Sequence, residues 1–112
     1  MEFTAHVPPA AYQTSKRHKS KRVKDYMDAV AGYAMQAKLE YGRWPLDRIY
    51  RLVVASYFED ARIRDWDNSA QPVNNALQSV LYVDDWQVQV GTSAKFIDRE
   101  RPRVKVICEV IG

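Results

Sequence analysis

Two acidic clusters, one helix length apart, constrain this chain more than any other feature of it. Asp65-Trp66-Asp67-Asn68 and Asp84-Asp85-Trp86-Gln87 bracket a segment that reads as a single short helix. Carboxylates beside tryptophan and valine runs are costly to bury unless something neutralises them. A divalent cation does so, and oxygen-only donors favour a hard ion, Mg²⁺ with Mn²⁺ as the alternative. Asp65 and Asp67 stand two apart, which in an extended segment puts both carboxylates on one side of the chain. Asp85 opens the strand after the helix. A helix packed back on the sheet is expected to return that strand's start to the end of the earlier strand. Asp65, Asp67 and Asp85 would then converge on the metal, while Asp84 caps or faces solvent. The structural alternative is that Asp-x-Asp-Asn makes only turns and helix N-caps.

The chain is also basic, with a formal charge of +3, and the distribution matters more than the sum. Lys16, Arg17, Lys19, Lys21, Arg22 and Lys24 crowd one short segment, and Arg62 and Arg64 stand just before the first acidic cluster. Arg99, Arg101, Arg103 and Lys105 form a third group. Cations beside a metal-binding acidic cluster suit an enzyme that cuts nucleic-acid phosphodiesters, with the polyanion held over the metal. A solvated basic surface is the competing reading.

At 112 residues the chain is expected to be a single domain, residues 1–112, with room for one core. No apolar run approaches the ~18 residues of a membrane span. The N-terminus lacks the pattern of an export signal, so a cytoplasmic location is expected. Cys108 lies among alternating valines and reads as a small core residue. His6 and His18 have no ligand-spaced partners. No zinc pattern, phosphate-cradling glycine loop or nucleophile elbow is present.

Glu2 to Val7 reads as a first strand, stopped by Pro8-Pro9. A polar, basic loop follows to about Ser20. Val23, Met27, Val30, Ala34 and Ala37 recur at helical spacing, with Ser20 as N-cap and Gly42 closing the helix; Gly32 marks close packing. Ile49 to Phe58 reads as a central strand. Ser69 is expected to cap a second helix, with Pro72 in its first turn and Val73, Leu77, Val80 and Leu81 as its buried stripe. A third strand starts near Asp84, with Trp86, Val88 and Val90 on one side. A loop from Gly91 to Pro102 joins it to a last strand, as an antiparallel pair. The expected fold is α+β, in the order β-α-β-α-β-β, with a mixed sheet packed by two helices.

Three stretches resemble the RusA family of Holliday junction resolvases: Arg62-Ile63-Arg64-Asp65-Trp66-Asp67-Asn68, Asn75-Ala76-Leu77, and Val83-Asp84-Asp85-Trp86-Gln87-Val88. The family pattern is roughly R-x-D-x-D-N, then D-A-L, then D-D-x-Q-V after a hydrophobic residue. Pro8-Pro9 followed by a basic loop adds a weaker match. The resemblance implies a homodimeric, Mg²⁺-dependent endonuclease of prokaryotes or phages. Such an enzyme serves DNA recombination and repair by nicking four-way junctions symmetrically in two strands. Its three acids carry over onto Asp65, Asp67 and Asp85. Lys16, Arg17, Lys19, Lys21, Arg22, Arg62 and Arg64 would then contact DNA, and Trp66 is core or stacks on a base.

The chain departs from the family pattern twice. Gln71 stands where the family has a lysine, and Asn75 where it has the aspartate of D-A-L. A neutral amide at 71 supplies no charge to the transition state, a role that Lys95, Arg62, Arg64 or a basic-loop lysine would have to fill. Three readings therefore remain: a junction endonuclease, a junction-binding protein of the same fold that does not cut, and a small interaction module whose acids merely cap a helix.

Overall fold

The computed structural model describes residues 1–12, 20–62, 64 and 66–112, with Trp66 and Asp67 described by their backbone alone. The elements follow the expected order: β1 (Glu2–Ala5), α1 (Lys21–Tyr41), β2 (Tyr50–Phe58), α2 (Trp66–Leu77), a 3-10 turn (Asp85–Gln87), β3 (Val88–Ile97) and β4 (Arg103–Val110). The sheet order is β1-β4-β2-β3. β2 pairs antiparallel with β4 and parallel with β3, so the sheet is mixed.

Alternation along β2 decides which face is covered. Tyr50, Leu52, Val54, Ser56 and Phe58 are buried, while the residues between them are half-buried. Val104, Val106 and Cys108 of β4 join the same core, together with Val23, Tyr26, Val30 and Ala34 of α1 and Val73, Ala76 and Leu77 of α2. Both helices therefore lie on one face of the sheet. Burial pushes the Cys108 thiol up to about 12, as suits a core side chain. At one end Trp44 stacks on Tyr50, centroids 5.5 Å apart, and its indole Nε1 donates to the Leu81 carbonyl at 2.8 Å. No helix among the described residues is long and apolar enough to cross a membrane.

α1 is capped as its sequence predicts. Ser20 Oγ accepts from Val23 N at 3.3 Å, and Gly42, at φ 99°, donates its N–H to the Lys38 carbonyl. Gly32 does not mark close packing: it is exposed, and a Cβ there would meet nothing within 4 Å. Gly32→Ala is therefore expected to stabilise the fold by about 0.5–1 kcal/mol through helix propensity, read as a higher midpoint in urea. An unchanged or lower midpoint would contradict this.

Four other expectations change. β1 ends at Ala5 rather than Val7, where a tight turn takes over and Val7 N donates back to Ala5 O. α2 begins at Trp66, so Ser69 is a buried helical residue and Pro72 lies in the helix interior. A proline there cannot donate to the carbonyl four residues back. That carbonyl, of Asn68, is taken instead by Tyr12 N at 3.1 Å. β3 starts only at Val88 and runs through Gly91, so the connection to β4 shrinks to residues 98–102. Asp98 closes it, accepting from the Glu100 and Arg101 amides. Lastly, β3 and β4 are not paired with each other, because β2 lies between them.

Candidate functional site

The β2–α2–β3 unit decides where each candidate residue goes. β3 runs parallel to β2, with Tyr50 opposite Val88 and Phe58 opposite Ile97. The start of β3 therefore lies beside the start of β2. At ~3.3 Å per residue, β2 separates its two ends by about 26 Å. Residues following β2 and residues preceding β3 sit at opposite ends of that span.

The end beyond β2 is cationic. Arg64 lies over the Phe58 ring, its guanidinium carbon 4.0 Å from the centroid, and pairs with Asp60 at 3.0 Å. Its side chain is only 11% exposed, so its charge serves to order this segment more than to meet solvent. Asp60 also accepts from the Arg62 amide, which holds its carboxyl below the usual range, with Arg64 adding to the effect. From β3, the Lys95 ammonium donates to the Arg64 carbonyl. Phe58, Asp60, Arg62, Arg64, Lys95 and Phe96 are among the residues lining one open groove. α2 starts at this end, with Asp67 in its first turn. Asp65 and the Asp67 side chain lie outside the described residues.

The end before β3 is acidic and locked to the sheet. Gln87, 3% exposed, donates to the carbonyls of Leu46 and Arg48 at 2.8 and 2.9 Å. Its Oε1 accepts from the Val83 and Asp84 amides, both at 2.9 Å. This clamp projects Val83 and Trp86 outward, 66% and 64% exposed. The Asp84 carboxyl, hydrogen-bonded to that of Asp85, raises the Asp85 pKa, with partial burial and like charge adding to the effect. No described lysine or arginine is paired with either residue.

The structure thus does not bring Asp85 beside the start of α2 within one protomer. The expected convergence had the crossover backwards. A helix linking two parallel strands returns the chain to the start of the first strand, not to its end. Among the described residues, no three histidine, cysteine or acidic side chains gather into a metal-binding group.

Of the residues expected to meet DNA, Lys16, Arg17 and Lys19 lie outside the described residues, as does His18. Lys21 and Arg22 open α1, exposed but paired with Asp25 and Glu59, each at 2.8 Å. Gln71 donates to Asn75 Oδ1 at 3.2 Å, and Asn75 Nδ2 donates to the Tyr12 hydroxyl at 2.8 Å. The two positions that depart from the family pattern are therefore bonded to each other, and together they tie the segment leading into the basic loop to α2. Trp86 is the residue that sequence reasoning misplaced. Alternation put it on a strand face with Val88, but a 3-10 turn delivers it to solvent beside the acids. The cue was the pair of consecutive aspartates, which favours a turn over a strand start.

A protein-family model described as Endodeoxyribonuclease RusA matches residues 4–109. No curated protein matches the chain.

Proposed function

The chain belongs to the RusA endodeoxyribonuclease family, and from that premise we propose that it is a Mg²⁺-dependent homodimer that resolves Holliday junctions by paired symmetric nicks. The observation that carries this reading is the family match across residues 4–109. The groove lined by Arg62, Arg64 and Lys95 at the start of α2 supports it, because the exposed Arg62 and Lys95 beside an acidic helix start suit a phosphodiester held for cutting.

Asp84 and Asp85 have the oxygen-donor chemistry that such a metal takes. Asp84 and Asp85 crowd each other with no described cation paired to either, and a hard divalent ion relieves such crowding. Asp65, Asp67 and Asp85 are the proposed ligands; bound Mg²⁺ (or Mn²⁺) would polarise the phosphoryl group and acidify a water. The chain's own residues do the rest. Arg62 and Lys95 meet phosphates flanking the cut, and Arg64, held by Asp60 and Phe58, keeps that segment in place. Trp86 offers an exposed ring on which an unstacked base at the branch point can sit. Lys16, Arg17, Lys19, Lys21 and Arg22 grip the junction arms through sequence-independent contacts. A place in the recombination and repair of bacterial or phage DNA, in the cytoplasm, goes with this reading.

One observation favours a second reading, a junction binder that does not cut. Gln71 is neutral, and its amide is committed to Asn75. A synthetic mobile four-way junction, incubated with Mg²⁺, Mn²⁺ or EDTA beside linear duplex, separates the two. Symmetric, metal-dependent nicks on the junction alone are expected. Tight junction binding without cutting under either metal would select the second reading.

Lys95 offers a further check. Losing one phosphate contact is expected to lower the slope of log affinity against log salt by about 1. Lys95→Ala should show this by fluorescence anisotropy across a salt series. A slope equal to wild type would remove Lys95 from the interface.

A further inference from the structure

We propose that the ring of Phe96 is a stacking platform for an unpaired DNA base, set on the rim of the sheet directly beside the cationic groove. The proposal rests on the nuclease reading above and names the part of a branched substrate that this groove takes.

Strand pairing settles which way each side chain goes. Lys95 stands opposite Ser56, and Phe96 opposite Tyr57. Ser56 is buried on the helix-covered face, so Lys95 lies on that face and its neighbour Phe96 on the open one. Both line the groove together with Arg62 and Arg64, so the groove wraps around the rim of β3. β3 is an edge strand, and no strand of the sheet flanks Phe96 on its outer side. A nucleotide draped over that rim can set its phosphate against the Lys95 ammonium and its base on the Phe96 ring.

The ring is held in place from behind. Phe96 stacks on Tyr57, with centroids 4.8 Å apart and planes 19° from parallel. Tyr57 is flanked from β4 by Arg103, whose guanidinium carbon lies 3.9 Å from the ring centroid. Asp98 pairs with Arg103 at 2.9 Å, and Arg103 also donates to the Arg101 carbonyl at 2.9 Å. The three side chains thus form a row across the end of the sheet, pinned at Arg103 and open at Phe96, which is 46% exposed. A ring already fixed in this way loses little freedom on binding. Any base can stack on it, provided that base has left its own stack, as happens at a branch point and not inside a duplex. Arg62 and Lys95, exposed in the same groove, supply the charge complementarity that makes DNA the occupant rather than an apolar partner.

Phe96→Ala is expected to weaken binding of a four-way junction about tenfold, as the loss of one stacked base does. The slope of log affinity against log salt should stay at its wild-type value, because stacking releases no counterions. Affinity for linear duplex should not change, and Phe96→Trp should bind the junction at least as well as wild type. Fluorescence anisotropy in EDTA across a salt series reads all four. Junction affinity equal to wild type in Phe96→Ala would overturn the proposal, and so would equal weakening on junction and duplex.

A second measurement locates the base itself. Iodouracil, placed singly at each position around the branch and irradiated in the complex, should cross-link to Phe96, as mapped by mass spectrometry. Cross-links that never reach Phe96 would count against the platform. Light scattering tests the other occupant of this face, a second copy of the chain. If Phe96→Ala converts a wild-type dimer to monomer, Phe96 belongs to a subunit interface and the platform falls. If wild type binds the junction through Phe96 and never cuts it, the resolvase reading falls and the platform stands. If wild type cuts and Phe96→Ala binds as wild type does, the platform falls and the resolvase reading stands.

Discussion

Asp85→Asn is expected to lower the rate of junction cleavage by about 10³-fold while junction binding holds or tightens. The substitution keeps the shape of the side chain and removes the anionic oxygen that a hard cation needs. It also relieves the crowding with Asp84, since one carboxyl of the pair becomes neutral. Affinity should therefore not fall, because negative charge leaves a surface that faces a polyanion. Single-turnover cleavage at saturating enzyme reads the first effect and anisotropy the second. Cleavage at the wild-type rate would remove Asp85 from the metal site. Equal losses in cleavage and binding would make it a structural residue instead.

The largest expected effect on stability comes from Gln87→Leu, at about 2–4 kcal/mol. Leucine fills most of the volume but strands the amides of Val83 and Asp84 and the carbonyls of Leu46 and Arg48, all four of which Gln87 now satisfies. For a domain of this size the fall in Tm should be roughly 10 °C, read by circular dichroism. Cleavage should fall too, even at a temperature where the variant is folded, because the same clamp aims Asp85. A Tm within a degree or two of wild type would show that solvent replaces the clamp, and the case for a rigid acidic tip would weaken with it.

Much of the fold was legible because period and punctuation agreed. The heptad-like spacing from Val23 to Ala34, with Ser20 before it and Gly42 after it, left α1 little freedom. The alternation from Tyr50 to Phe58 is that of a half-buried strand, and the burial pattern repeats it residue by residue. Local punctuation puts Pro72 in a first turn and so starts α2 later than Trp66, where it begins. A partner distant in sequence, Tyr12, accommodates that proline by bonding the carbonyl it leaves free, and no local rule foresees this. The start of β3 was read too early for a related reason. Alternation runs unbroken from Asp85, yet Gln87 is drawn under the chain by carbonyls some forty residues away, which curls Asp85–Gln87 into a turn.

The candidate site divides in the same way. Which residues carry chemistry was in the chain itself: acids in tight pairs, cations just ahead of them, and motif spacing that resembles one family, to which the chain belongs. Local chemistry and spacing are written residue by residue. Where those residues stand relative to one another was decided only by the tertiary structure. Strand direction depends on how a crossover packs over the whole sheet, and one parallel pairing, β2 with β3, sends Asp85 to the far end from the start of α2.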